Sequence, residues 1–72
     1  MFNKEEISVI KNTGDRIREL REKKGLSQDR LAIEADIPKN QIGRIERYEI
    51  NTTILTLHKI AKALDVDICK LF

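Results

Sequence analysis

"PKNQIGRIER", residues 38–47, decides how this chain is read. On a helical wheel turning roughly 100° per residue, Pro38, Ile42 and Ile45 fall in one narrow arc, and Lys39, Asn40, Gly43, Arg44 and Arg47 fill the opposite one. A short helix built this way buries its isoleucines and turns cations and an amide outward, groups able to bond base edges and phosphates. Proline is best tolerated in the first turn of a helix, where its missing N–H has no partner to lose, so Pro38 is expected to open this helix.

Working outward, Ser27 caps "QDRLAIEA", with Leu31, Ala32 and Ala35 facing inward, and Asp36 ends it in the left-handed turn conformation that aspartate can visit. Two short helices joined so closely form a corner, spanning about residues 27–47. Upstream, Thr13 is the candidate N-cap of "GDRIRELREKK", where Ile17, Leu20 and Lys24 recur at helical spacing and Gly25 supplies the stop. Downstream, "RYEINTT" breaks the pattern and Thr52 or Thr53 caps "ILTLHKIAKAL", with Leu57, Ile60, Ala61 and Leu64 inward. A last turn or two, "DICKLF", closes the core with Ile68 and Leu71, Phe72 being a further candidate. Residues 1–12 read two ways. Asn3 and Glu6 have the spacing of a capping box, which favours helix, while "ISVI" could equally extend as a strand. The expected organisation is an N-terminal extension, 1–12, followed by one all-α domain, 13–72.

The bulk properties agree with a small helical domain. The 72 residues include one proline and three glycines, and can enclose a single core. Charged residues make up 36% of the chain but the formal net charge is only +2, so basic character can matter only where it is gathered locally. The lone cysteine, Cys69, excludes an internal disulfide framework, fits a reducing cytoplasm, and reads as a partly buried small residue. His58 and Cys69 lack the close pairs of a zinc site. No glycine-rich phosphate loop and no nucleophile with a spaced base and orienter occur, which leaves an enzyme without support. No cofactor, metal or small-molecule ligand is implied, and no apolar run approaches a membrane span.

With "IRELREKKGLSQDRLA", then "RIER", then "TLHKIAKALDV" in that order and spacing, the chain resembles the phage-repressor or Cro-like (Xre) helix-turn-helix family over nearly all of residues 15–72. The resemblance implies a compact five-helix domain of the lambda-repressor-like type. Its third helix would lie in the major groove of double-stranded DNA while its second crosses the backbone. It puts Lys39, Asn40 and Arg44 at the base-reading positions, where lysine or arginine can bond guanine and asparagine can pair with adenine. Gln41 and Arg47 would flank that face. Gln28 would hold a phosphate at the start of the second helix. Gly43, costly inside a helix, has two readings: a close approach to DNA, or no role. Arg21 and Glu46 match an ion pair that ties the first helix to the third.

The chain also departs from the family pattern. Asp36 and Tyr48 stand where glycines are usual, and the basic loop after "RIER" reads Glu49 and Ile50, the former set to repel a phosphate. Tyr48, Ile50 and Leu55 gather where the family builds its two-fold contact, and so are candidate dimer residues. The function implied is a cytoplasmic, sequence-specific transcriptional regulator that binds an inverted-repeat operator as a homodimer. With nothing after the fifth helix, regulation is expected to depend on its concentration. The rival is a protein-interaction module, antitoxin-like or adaptor, that uses the patch near Ile50 for another chain.

Overall fold

The computed structural model of the chain describes residues 2–72. It contains α1 (Lys4–Lys23), α2 (Gln28–Ala35), α3 (Lys39–Glu46), α4 (Ile54–Ala63) and a closing 3₁₀ turn at Ile68–Leu71, with no strand among the described residues. The fifth element is a single 3₁₀ turn, in keeping with the last turn or two expected at "DICKLF". Each of the five elements sends one large side chain to the centre. Ile17, Leu31, Ile42, Ile60 and Leu71 are fully enclosed, each stabilising the fold by about 1.5–3 kcal/mol relative to an exposed position.

The N-terminal segment is helix, and it is continuous with the rest of α1. Asn3 Oδ1 accepts the Glu6 N–H at 2.8 Å and the Asn3 N–H donates to Glu6 Oε1 at 2.9 Å, a complete capping box. Thr13 therefore caps nothing. It is buried in mid-helix, and its hydroxyl donates to the Val9 carbonyl one turn back at 2.8 Å. The next residue, Gly14, allows a close crossing: a Cβ there would lie 2.5 Å from the Ile45 carbonyl oxygen of α3. Ser27 and Thr53 cap α2 and α4 by accepting the N–H of Arg30 and Thr56.

All four helices end in the same way, on a residue with positive φ: Gly25, Asp36, Tyr48 and Asp65. At each, the following N–H reaches back five residues: Leu26 to Arg21, Ile37 to Ala32, Glu49 to Arg44 and Val66 to Ala61, at 2.8–3.1 Å. This is the Schellman stop, whose last residue commonly makes an apolar contact. Leu26, Ile37 and Val66 do so, each half-buried against the core. Glu49 does not.

Three smaller expectations are corrected by the same geometry. Pro38 has extended ψ and sits at the N-cap of α3, so it is exposed and does not share the inward arc of Ile42 and Ile45. The closing turn has about three residues per repeat, which puts Ile68 and Leu71 on its inner side and leaves Cys69 exposed. Phe72 follows that turn and is 61% exposed instead of closing the core. A hydrogen bond from Arg16 Nε to the Lys70 carbonyl, 2.8 Å, ties the turn to α1.

Candidate nucleic-acid interface

α3 owes its orientation to its inner face. Ile42 and Ile45 anchor it in the core, and Glu46, with a side chain only 3% exposed, receives a two-pronged ion pair from α1. Arg21 Nε donates to Glu46 Oε2 at 2.7 Å and Arg21 Nη2 to Oε1 at 2.9 Å. The remaining prong, Nη1, donates to the Leu26 carbonyl at 2.8 Å, and Gln28 Nε2 adds a bond to Glu46 Oε1 at 3.1 Å. One carboxylate thus gathers α1, the start of α2 and the end of α3. Bonding to Glu46 raises the Arg21 pKa above its ordinary range, and the two parallel N–H···O bonds fix the geometry of the pair.

The outer face carries Lys39, Asn40, Arg44 and Arg47, all exposed, with Gln41 half-buried at its edge. Lys39 and Asn40 occupy the first turn of α3, which has neither a side-chain cap nor an acidic residue; the Gln41 N–H bonds the Pro38 carbonyl at 3.1 Å, and the positive dipole end faces outward at Lys39 and Asn40. Their side chains make no hydrogen bond or ion pair among the described residues. The two arginines do. Arg47 Nε donates to Glu49 Oε2 at 2.7 Å, and Arg44 Nε lies 3.8 Å from Glu49 Oε1. Pairing with Arg47 first, then Arg44, holds the Glu49 carboxyl below the usual carboxylate range, and the same bond raises the Arg47 pKa.

Gly43 lies on the outward arc of α3, but other side chains cover it. It is buried, beneath Arg47 and Gln28: a Cβ there would stand 2.9 Å from Arg47 Nη1 and 3.1 Å from Gln28 Oε1. The wheel placed it outward because the wheel cannot see two long side chains crossing over it. Gln28 itself is half-buried and committed to Glu46.

The apolar residues near α3 divide. Tyr48 turns back onto α1, where its ring covers Gly14, its hydroxyl donates to Asp15 Oδ1 and Lys11 Nζ lies 5.5 Å from the ring centre. That bond lowers the Asp15 pKa and raises that of Tyr48. Ile50 is half-buried against the core, while Leu55 is 60% exposed. Ile54, which sequence reading passed over, is 69% exposed beside Leu55. It lines an apolar groove of about 300 Å³ together with Val9, Ile10, Ile50 and Phe72. Ile54 falls outside the inward stripe of α4, and an apolar residue off the stripe is the signal that could have found it. The described residues include no cluster of metal-ligating side chains, and no helix is long and apolar enough to cross a membrane.

Comparison with known proteins yields consistent relatives. A family model described as helix-turn-helix matches residues 17–71. The HTH-type transcriptional regulator SutR of Escherichia coli (strain K12) is 42% identical over 50 residues, covering 69% of this chain and 28% of SutR. Control protein C.BamHI of Bacillus amyloliquefaciens is 39% identical over 54 residues, 74% of this chain and 67% of that protein. Among solved structures, the restriction-modification controller protein C.AhdI of Aeromonas hydrophila superposes with a TM-score of 0.85 at 38% identity, covering 88% of this chain and 96% of that one.

Proposed function

The chain belongs to the helix-turn-helix family, and on that premise we propose that it is a transcriptional regulator that reads DNA sequence with α3 and binds as a homodimer. One observation carries the reading: the exposed Lys39, Asn40 and Arg44 project from a short helix whose tilt is locked by the buried Arg21–Glu46 pair. A rigid mount is what side-chain readout needs, since a bidentate base contact is worth about 1–3 kcal/mol only when both hydrogen bonds align.

Lys39 and Asn40 at the first turn, and Arg44 one turn later, reach bases. The backbone N–H groups at the start of α2, beside Gln28, take a phosphate. Gln41 and Arg47 contact the rims of the groove. The dimer forms through Ile54 and Leu55 with Ile50 behind them, and it sets two recognition helices about one DNA turn apart, roughly 34 Å. C.AhdI, of which the chain spans 96%, is a restriction-modification controller, and a control protein of that compact kind is the role proposed here. Such a protein works in the cytoplasm on the nucleoid.

Selection of bound duplexes from a random pool at near-physiological salt tests this directly. An inverted repeat among the winners is expected, and its loss of preference at individual positions in Arg44→Ala identifies the reader. Winners without shared sequence would sink the sequence-specific reading, and absence of any binding would transfer the apolar face to a protein-interaction role.

A further inference from the structure

Glu49 is the exception among the four helix stops. Leu26, Ile37 and Val66 use the last position of the motif to pack against the core, whereas Glu49 spends it on the outer face of α3. Its position there is fixed. The left-handed Tyr48 and the 2.8 Å bond from the Glu49 N–H to the Arg44 carbonyl hold its backbone beside both arginines. Its two carboxylate oxygens then divide between them: Oε2 accepts from Arg47 at 2.7 Å and Oε1 faces Arg44 at 3.8 Å. Arg47, though its side chain is exposed, lies along the helix with its Nη1 over Gly43.

Resting on the DNA-binding reading above, we propose that Glu49 is a built-in competitor for DNA: a carboxylate that occupies Arg47 and Arg44 in the unbound protein and must be displaced when they engage a base or a phosphate. Binding becomes an exchange of ion pairs. The arginines release counterions from the DNA, but the abandoned Glu49 gathers one from solution, so the net release is smaller than the number of contacts implies. Glu49 thereby weakens binding and flattens its salt dependence, raising the protein concentration at which a site fills.

The test compares wild type, Glu49→Gln, Arg47→Gln and the double variant, on a duplex recovered by selection and on a mixed-sequence duplex of equal length, with thermal melting to confirm folding. Glu49→Gln is expected to tighten binding about three- to ten-fold at near-physiological salt and to steepen the slope of log K against log salt by about one. In the Arg47→Gln background that gain should shrink, because the displaced partner is already missing. An undiminished gain would mean that Glu49 only repels phosphate at a distance, and would overturn the competition. Weaker binding by Glu49→Gln would overturn it the other way, showing that the carboxylate positions the arginines for DNA. Either result, obtained with a wild type that binds, leaves the regulator reading intact. A wild type that binds neither duplex removes that reading and the competition together.

Discussion

Glu46 and Glu49 stand three residues apart at the end of α3, each bonded to an arginine at 2.7 Å, and they do opposite work. Glu46 is buried with Arg21, and its partners come from elements 25 and 18 residues away in sequence. Glu49 is exposed, and its partners are its own near neighbours. The same pair of chemical groups is a structural anchor where water is excluded and an exchangeable contact where it is not. Burial, not distance, decides which, because a stranded charge in the interior has no solvent to turn to.

The comparison breaks most visibly on the buried side. Arg21→Ala leaves Glu46 enclosed without its cation, and should cost about 3–5 kcal/mol, a large share of what a small domain possesses. Denaturant unfolding followed by circular dichroism reads it. Arg21→Met with Glu46→Leu should recover much of that loss, and if the double variant were as unstable as Arg21→Ala, stranding of charge would not be the cause. Next comes the crossing that lets α1 reach α3. Gly14→Ala drives a methyl group against the Ile45 carbonyl, 2.5 Å away, and is expected to destabilise by about 1–3 kcal/mol on the same assay.

Gly43→Ala sharpens the contrast, since the atoms it meets are the ends of flexible side chains and alanine favours helix. Its net effect on stability should stay within about 1 kcal/mol. The smallest effects lie on the exposed side and show in titration. Asp15 and Glu49 have folded pKa values depressed by Tyr48 and Arg47 respectively. Their contributions are therefore complete above the ordinary carboxylate range of the unfolded chain and fade as pH falls through it toward the lowered folded values. Tyr48→Phe should return the Asp15 carboxyl toward its ordinary value in an NMR titration while leaving Glu49 where it is. A shift in both would show that the two pairs are coupled through Tyr48.

What could be read from the sequence follows the same division between near and far. The inward stripes of α2 and α4, the outward Lys39, Asn40 and Arg44, and the caps at Ser27 and Thr53 all depend on spacing within a few residues, and spacing is visible in a string of letters. The start of α1 was harder, because Asn3 and Thr13 are both good caps and only the structure distinguishes a capping threonine from one that bonds back to Val9. Tyr48 looked like part of an open apolar patch. It is 40% exposed, and its ring also lies over Gly14, a partner 34 positions earlier that no local pattern announces. Glu49 read as a defect in a phosphate-binding loop, since nothing in its neighbours' identities reveals that a left-handed Tyr48 aims it at Arg47.

The four matching helix stops bear on how the chain reaches this fold at all. Each closes with hydrogen bonds spanning no more than five residues, so the length of every helix is encoded where that helix ends and needs no contact with the others. An unfolded chain can then form rods of nearly correct length before they meet, and the remaining search is for their docking. Folding in the microsecond-to-millisecond range follows from such local encoding. The late step would be the arrival of Arg21 at Glu46, when the rods lock at their final angle.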